Sequence, residues 1–285
     1  MKNLRKITGL LLTLVLVLGV FVGCGQKTNE GSEKATGTLE EIKERGVVRI
    51  GVFSDKPPFG YVDANGENQG FDVYIGKRLA KDLLGDESKV EFVLVEAASR
   101  VEYLQSNKVD IILANFTVTD ERKEAVDFAN PYMKVALGIV SKDGAITSID
   151  QLKGKTVVVN KGTTADAYLT KNYPDINLLK FDQNTETFEA LKDGRGEALA
   201  HDNTLLFAWA RENEGYKVGV SSLGDQDTIA PAVKKGNTDL LNWINDDLKK
   251  LGEEKFIKEA YDKTLLPAYG DSINPDDVII EGGQQ

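Results

Sequence analysis

From Leu39 onward, short runs of β-branched and other apolar residues alternate with segments whose apolar residues recur every three or four positions. Because two consecutive parallel strands need a crossover connection, usually a helix, this alternation is typical of an α/β fold with mostly parallel sheets. In the first half of the chain it predicts strands at residues 47–53, 90–94 and 109–114, and helices at residues 71–83 and 99–106.

A second series of the same kind follows, so we expect a second lobe. The series predicts strands at residues 155–159, 178–181 and 197–200, and helices at residues 164–172 and 185–192. Two β-rich segments, residues 134–141 and 228–234, lie between the two series. We predict that they are paired crossovers that join the lobes.

The chain is then expected to return to the first lobe and to complete it with amphipathic helices at residues 239–251 and 255–263. We therefore predict that lobe I comprises residues 39–136 together with residues 229–285. Lobe II is predicted at residues 137–228.

The N-terminus has the pattern of an export signal. Lys2, Arg5 and Lys6 precede an apolar run at residues 7–22, and Gly23-Cys24 follows it. The run is too short to span a bilayer, so we predict a signal peptide at residues 1–23. Residues 24–38 are polar, with almost nothing to bury, and we interpret them as a flexible tether.

Cys24 is the only cysteine of the chain, which excludes an intrachain disulfide. Residues 20–24, Val-Phe-Val-Gly-Cys, resemble a lipobox, although Phe21 stands where Leu is usual. The resemblance implies that Cys24 carries a lipid and becomes the mature N-terminus. Such an anchor would hold a water-soluble domain at a membrane surface without a membrane span.

Several classes of function are disfavoured by composition and motifs. The formal net charge of −10 argues against a nucleic-acid partner. Gly154-Lys155-Thr156 precedes a predicted strand, whereas a nucleotide-binding loop follows one. The single histidine, His201, has no cysteine near it in the sequence to share a metal, and no nucleophile motif occurs. We expect neither a metal nor a cofactor, and no enzymatic activity.

Polar residues follow several of the predicted strands. In open α/β sheets, ligands bind beyond the carboxyl ends of the strands, so these positions are the candidate binding site. The segments concerned are residues 53–59, 115–122, 160–164 and 201–202.

Three of these features together describe a receptor for a zwitterion. The planar guanidinium of Arg122 suits a carboxylate, and Gly162-Thr163-Thr164 opens a helix whose N-terminus favours an anion. The carboxylate of Asp202 suits an ammonium group. Each feature also has a structural interpretation: a surface ion pair for Arg122, and N-caps for the threonines and Asp202.

At these residues the chain resembles the polar amino-acid solute-binding proteins of ABC importers, from about Leu39 to the end. The resemblance implies the two-lobed periplasmic-binding-protein type II fold, with two crossover strands. It implies that Thr117 and Arg122 bind the α-carboxylate from lobe I. Asn115, at the start of the same segment, is a further candidate ligand-binding residue. Gly162, Thr163 and Thr164 would add backbone amides from lobe II, and Asp202 would bind the α-amino group.

Among the subfamilies, the chain looks most like the cysteine-binding members. The segments that carry this likeness are GVFSDKPPFGYVD, VDIILANFT, NKGTTADAYLT, HDNTLLFAW and DVIIEGG, which begin at residues 51, 109, 160, 201 and 277. Phe53 stands where glutamine binders have an aspartate, which argues against glutamine. Phe53 and Phe59 could contact a thiol side chain, although both could equally be core residues. Arg100 matches an arginine of some glutamate and aspartate binders, so an acidic ligand is the alternative.

The resemblance implies an extracytoplasmic receptor, held to the membrane through Cys24, that passes its amino acid to an ABC permease and its ATPase subunits. Capture by hinge closure is expected, and we expect a monomer. Two alternatives of another class remain on the same fold. One is an enzyme similar to cyclohexadienyl dehydratase, and the other is a ligand sensor or adhesin.

Overall fold

The computed structural model describes residues 37–283, without the side chain of Ser272. The predicted signal peptide, the lipidation site Cys24 and most of the predicted tether lie outside the described residues. The strands are β1 (Val48–Val52), β2 (Asp55–Lys56), β3 (Gly60–Val62), β4 (Asn68–Gln69), β5 (Val90–Leu94), β6 (Ile111–Ile112), β7 (Val126–Phe128), β8 (Met133–Lys142), β9 (Thr156–Asn160), β10 (Asn177–Phe181), β11 (Ala198–Asp202), β12 (Tyr216–Ile229) and β13 (Ala232–Lys234).

The helices fall largely where the apolar spacing predicts them. They are α1 (Leu39–Arg45), α2 (Phe71–Leu84), α3 (Arg100–Gln105), α4 (Asp120–Ala125), α5 (Thr164–Asn172), α6 (Asn184–Lys192), α7 (Asn203–Glu212), α8 (Thr238–Glu253), α9 (Phe256–Thr264) and α10 (Leu266–Tyr269). None of the helices in residues 37–283 is long and apolar enough to cross a membrane.

Two five-stranded sheets define two lobes. The first sheet, in lobe I, has the order β5-β1-β6-β13-β7, and the second, in lobe II, has the order β10-β9-β11-β8-β12. Four strands of each sheet point the same way, and β13 and β8 are antiparallel to both of their neighbours. The predicted fold class, two lobes with mostly parallel sheets, is confirmed.

The crossover strands β8 and β12 pair antiparallel from Met133↔Ile229 to Tyr216↔Lys142. The first crossover lies where it was predicted, but the prediction of the second at residues 228–234 was only partly right: Thr228 and Ile229 pair with β8, and the rest of the paired strand lies before them. β12 ends at Ile229, and β13 already pairs with β6 and β7 in the first sheet. Pro231 divides what reads as one β-rich run, because proline has no N–H for a ladder hydrogen bond. The domain boundaries at residues 136/137 and 228/229 stay predictions.

The short helix α1 was not predicted. Thr38 and Glu41 form a reciprocal capping box at its start, and Ile42 is its buried residue. The carbonyl oxygen of Gly37 accepts a hydrogen bond from the side-chain amide of Asn237, at 2.9 Å. Residues 37 and 38, predicted to belong to the tether, are therefore attached to lobe I.

The C-terminal segment is hydrogen-bonded to the start of the first crossover strand, β8. Lys134 donates its backbone N–H to the carbonyl oxygen of Val278 at 2.7 Å, and Ile280 donates to that of Tyr132 at 2.9 Å. The carboxylate of Glu281 accepts backbone N–H groups at the start of α9. The tail is thus a packed part of lobe I next to the hinge.

Candidate ligand-binding cleft

Arg122 is positioned by the helix that it opens and by the opposite lobe. Thr119 caps α4 by accepting the backbone N–H of Arg122 at 3.2 Å. The guanidinium donates to the carbonyl oxygen of Thr117 at 2.7 Å, and across the cleft to that of Gly162 at 3.0 Å. Burial lowers its pKa to about 10. In this structure Arg122 bonds to carbonyl oxygens rather than to a surface acid.

Arg100 lies beside Arg122 and is only 3% exposed. Its guanidinium donates to the carbonyl oxygens of Ala97, Ala114 and Gly162, at 2.9, 3.0 and 3.3 Å. Burial and the neighbouring charge of Arg122 lower the pKa of Arg100 well below its ordinary value.

Both guanidiniums lie next to the ring of Phe116, and both donate to backbone carbonyl oxygens. The Phe116 ring centroid is 4.4 Å from Cζ of Arg100 and 4.6 Å from Cζ of Arg122. Every acceptor that the described residues offer to these guanidiniums is a backbone carbonyl oxygen. A buried and a half-buried cation without an ion-pair partner favour an anion, and a carboxylate is the group that a guanidinium binds best.

Gly162 faces the arginines with its carbonyl oxygen. Its φ of +72° suits glycine, and its own N–H donates to the Asp166 carboxylate at 3.2 Å. Thr163 is the N-cap of α5 and accepts the backbone N–H of Asp166, and Thr164 is the first residue of that helix. The N-cap interpretation of Thr163 therefore holds, and in this structure the carbonyl of Gly162, rather than its amide, meets the arginines.

A cavity of about 790 Å³ lies against these groups and is lined by Phe116, Arg122, Leu137, Gly162, Thr163 and Thr164, among others. The cavity is in the size range of small-molecule sites. Both lobes contribute to its wall.

Asp202 ends β11 and pairs with a residue that the sequence did not single out. Its Oδ2 lies 2.9 Å from Nζ of Lys56, and both residues are buried. Asp202 is the N-cap residue of α7, as the structural interpretation predicted, but its side chain makes no cap hydrogen bond and pairs with Lys56 instead. Lys56 lies within the segment 53–59 that follows the first strand. A lysine before two prolines gives no sign of burial, which is why sequence reasoning missed it.

Phe53 connects the arginines to this ion pair. Its ring centroid lies 5.6 Å from Cζ of Arg100 and 5.2 Å from Nζ of Lys56. The Phe59 ring lies 5.7 Å from the same Nζ and is fully buried in the core. Phe53 therefore lies next to Arg100, whose guanidinium suits a carboxylate, and next to Lys56, whose partner Asp202 suits an ammonium group.

Asn115 starts the segment that leads to Arg122. Its φ is +45°, and its backbone N–H donates to the carboxylate of Asp72 at 2.8 Å. The hydroxyl of Tyr132 donates to the same carboxylate at 2.7 Å, and burial raises the pKa of Asp72 to about 6. Asp72 thus fixes the start of this segment to the residue that leads into the hinge strand β8.

Three polar side chains at the ends of strands have buried atoms without a protein partner. These atoms are Oδ1 of Asn115, both side-chain polar atoms of Asn160, and Nε2 of His201. Buried polar atoms are nearly always hydrogen-bonded in folded proteins, to protein, water or ligand. Their position at the strand ends fits a polar ligand or ordered water there. Within residues 37–283, no group of three or more metal-ligating side chains is found.

The structure thus brings five of the predicted site residues together: Phe53, Arg100, Thr117, Arg122 and Gly162. Asp202 pairs with Lys56, whose Nζ lies next to the Phe53 ring. The chain also matches a known protein family over most of its length. The sequence model of the bacterial extracellular solute-binding proteins, family 3, matches residues 48–266.

Two solved structures are similar over nearly the whole described chain. One is a solute receptor for L-cysteine from Neisseria gonorrhoeae, 64% identical with a TM-score of 0.84; the match covers 86% of this chain and 100% of that chain. The other is the cysteine-binding protein of Campylobacter jejuni, 62% identical with a TM-score of 0.84, covering 85% and 98%. The ABC transporter glutamine-binding protein GlnH of Bacillus subtilis (strain 168) is 36% identical over 268 residues, which cover 92% of this chain and 98% of that protein.

Proposed function

Because the chain belongs to family 3 of the bacterial extracellular solute-binding proteins, we propose that it captures free L-cysteine outside the cytoplasm and delivers it to an ABC permease. Proteins of this family are amino-acid receptors, so the enzyme alternative is not retained. The resemblance inferred from the sequence is thereby confirmed at the level of the family.

The observation that carries the proposal is the separation of charge across the cleft. Arg100 and Arg122 present cationic groups that form no ion pair with a carboxylate, and Asp202 presents a buried carboxylate whose partner, Lys56, lies next to the Phe53 ring. An amino acid has a carboxylate and an ammonium group on one carbon atom, so it can satisfy both sides at once. The proposed roles are carboxylate binding by Arg122, with Asn115 and Thr117 beside it, and ammonium binding by Asp202.

Hinge closure is the proposed mechanism. Arg122 belongs to lobe I and Gly162 to lobe II, so a ligand on Arg122 is covered when lobe II closes. The crossover strands β8 and β12 are continuous between the lobes, and their pairing has register shifts between Val218 and Asp227. Irregular pairing at the crossover is where we expect the backbone to bend.

L-cysteine is proposed over other amino acids on two grounds. The two similar proteins of 64 and 62% identity are a solute receptor for L-cysteine and a cysteine-binding protein. In addition, Phe53 is buried beside the cations and offers a ring rather than a polar group to the side chain of the ligand. Sulfur–aromatic contacts contribute about 0.3 to 1.5 kcal/mol. Glutamine is the second candidate, because the relative from Bacillus subtilis is named a glutamine-binding protein.

The test is a thermal-shift panel of the twenty amino acids under reducing conditions, followed by calorimetry on each hit. A ligand at 100 times its dissociation constant adds about 2.7 kcal/mol to the free energy of unfolding, which is readily measured. Stabilisation by cysteine supports the proposal. Stabilisation by glutamine, glutamate or aspartate instead transfers the assignment to that ligand, and no stabilisation by any amino acid contradicts the receptor function.

We also propose that the mature protein is a monomer anchored to the membrane through lipid on Cys24. The support for the lipid anchor is the sequence of residues 1–24, which lie outside the described residues. Expression of the full chain and of Cys24→Ser in a bacterial host tests the anchor. The wild-type protein is expected in the membrane fraction, and Cys24→Ser is expected outside that fraction. An equal membrane share for both would contradict the lipid anchor.

A further inference from the structure

Lys56 and Asp202 form an ion pair between two elements that are 146 residues apart in the chain. Lys56 ends β2, in the small sheet that follows β1, and Asp202 ends β11 in lobe II. Nζ and Oδ2 are 2.9 Å apart, and the two side chains are 2% and 5% exposed. The pair is therefore shielded from water and joins the lobes at the cleft.

Both partners are held as charges by each other. Burial lowers the pKa of Lys56, and the carboxylate of Asp202 opposes that effect. Burial likewise opposes the ionisation of Asp202, but Lys56 keeps the pKa of Asp202 well below its usual range. His201 Nδ1 lies 3.5 Å from Oδ2 of Asp202, and burial lowers the pKa of His201, which favours its neutral form. Lys56 is accordingly the cation that neutralises Asp202.

The surroundings of Nζ are those that an amino acid's ammonium group would need. Nζ lies over the rings of Phe53 and Phe59, at 5.2 and 5.7 Å, and one carboxylate oxygen faces it. Aromatic faces and a carboxylate are the usual partners of an ammonium group in proteins. A second ammonium at the same carboxylate would face a like charge at short range in a poorly hydrated site.

We infer that Lys56 is a built-in competitor of the ligand: it occupies Asp202 until the ammonium group of the captured amino acid replaces it. The inference rests on the proposed function, in which Asp202 receives that ammonium group. Capture then exchanges one cation for another at Asp202. The apparent affinity for the amino acid is then the intrinsic affinity multiplied by the fraction of molecules in which Asp202 is free of Lys56.

The exchange has a second consequence for the lobes. With Lys56 bound, Asp202 has a partner from the opposite side of the cleft and holds the lobes together. Without Lys56, closure would bury an unpaired carboxylate, which is strongly unfavourable. The lobes are then expected to open until a ligand supplies the missing cation.

Lys56→Met keeps the length of the side chain and removes its charge. A second contact between β2 and α6 does not depend on Lys56. Asp55 accepts the side-chain amide of Asn184 and the backbone N–H of Thr185, at 3.0 and 3.1 Å. Lys56→Arg retains a cation. Lys192→Met is the matched control, since Lys192 is an exposed lysine paired with Glu189 on its own helix.

Calorimetry on the full chain measures binding of L-cysteine and of 3-mercaptopropionate, which is cysteine without the amino group. Lys56→Met is expected to tighten cysteine binding by about fivefold or more and to weaken 3-mercaptopropionate binding, because only the amino group benefits from a vacated Asp202. Lys56→Arg retains a competing cation and is expected not to tighten cysteine binding. Lys192→Met is expected to stay within about twofold of wild type for cysteine.

A second readout follows the lobes. Trp209 lines a cavity of about 380 Å³ together with Pro57 and Tyr61 from the other side of the cleft. Iodide quenching of Trp209, in a Trp243→Phe background, therefore reports opening. Without added ligand, Lys56→Met is expected to be quenched more than wild type, and cysteine is expected to remove the difference.

The outcomes separate this inference from the proposed function. If the wild-type protein binds no cysteine, the proposed function is contradicted. If the wild type binds cysteine and Lys56→Met binds it equally or more weakly, with unchanged circular dichroism, the inference alone is overturned. Equal quenching of Trp209 in wild type and Lys56→Met overturns it as well.

Discussion

Arg100 and Arg122 donate to the same atom, the carbonyl oxygen of Gly162, at 3.3 and 3.0 Å. Both arginines belong to lobe I, and Gly162 opens a helix of lobe II. One backbone atom thus joins the two lobes to both cations of the cleft. The carboxylate end of the proposed ligand site and the contact between the lobes are therefore the same place in the molecule.

Replacement of Arg122 is expected to abolish the capture of an amino acid. Arg122→Ala removes the guanidinium proposed for the α-carboxylate, and hydrogen bonds to charged groups contribute about 1.5 to 3 kcal/mol each. We expect the dissociation constant measured by calorimetry to rise at least about 100-fold. Arg122→Lys keeps the charge but not the planar pair of donors, and we expect it to be intermediate.

The neighbouring Lys123→Ala is the control, because Lys123 is exposed and pairs with Asp120 on the same helix. It is expected to bind like wild type. Retention of wild-type affinity by Arg122→Ala would refute the proposed carboxylate site.

Gly162→Ala is expected to impede closure of the lobes. A Cβ at this position would lie 2.6 Å from Cα of Ala98, which is backbone of lobe I. Gly194→Ala has the same backbone strain, with φ of +71°, but its Cβ would meet nothing within 4 Å. Calorimetry should show ligand binding weakened about tenfold or more in Gly162→Ala and nearly unchanged in Gly194→Ala. Equal affinities in the two variants would show that the contact with Ala98 is unimportant.

The ion pair between Lys56 and Asp202 is expected to show strong coupling in stability. Asp202→Asn leaves Lys56 buried without a partner, which typically costs about 3 kcal/mol or more. Urea unfolding of wild type, both single variants and Lys56→Met/Asp202→Asn gives the coupling energy, which should exceed about 1 kcal/mol. Additive effects of the two substitutions would mean that the pair contributes nothing in solution.

Asp247 is expected to make the protein less stable as the pH rises. Burial and the neighbouring Asp82 raise the pKa of Asp247 to about 7. Its pKa in the unfolded chain is about 4, so the folded protein binds this proton more tightly. The resulting stability is present below about pH 4 and is lost as the pH rises through 7.

Asp247→Asn removes this dependence. Relative to wild type, the variant should gain about 2 kcal/mol in its free energy of unfolding between pH 5 and pH 8. Asp246→Asn, on the exposed side of the same helix, is the matched control and should follow wild type. Parallel curves for wild type and Asp247→Asn would show that Asp247 titrates normally.

Local patterns predicted most of the fold because they record burial directly. Phe71, Ile75 and Leu79 recur every four residues, and all three are buried on one face of α2. The helices α1 and α4 were not predicted. α1 has seven residues, and α4 has no buried residue at all, so neither carries an apolar period that could be recognised. The second crossover was displaced because apolar content alone does not show where one strand ends and the next begins.

For the site, the sequence by itself determined where the polar groups could lie. Arg122 lies in the first turn of α4, and Gly162 directly precedes the N-cap of α5; these are local facts, and the structure places both at the cleft. Only the tertiary structure decided which charges meet. Asp202 is paired with Lys56 at a separation of 146 residues, and Arg100 comes to lie beside Arg122 through their common ring, Phe116. The physical reason is that Coulomb and hydrogen-bond energies depend on distance in space, and the distance between two lobes is set by the closure of the whole fold and not by any local pattern.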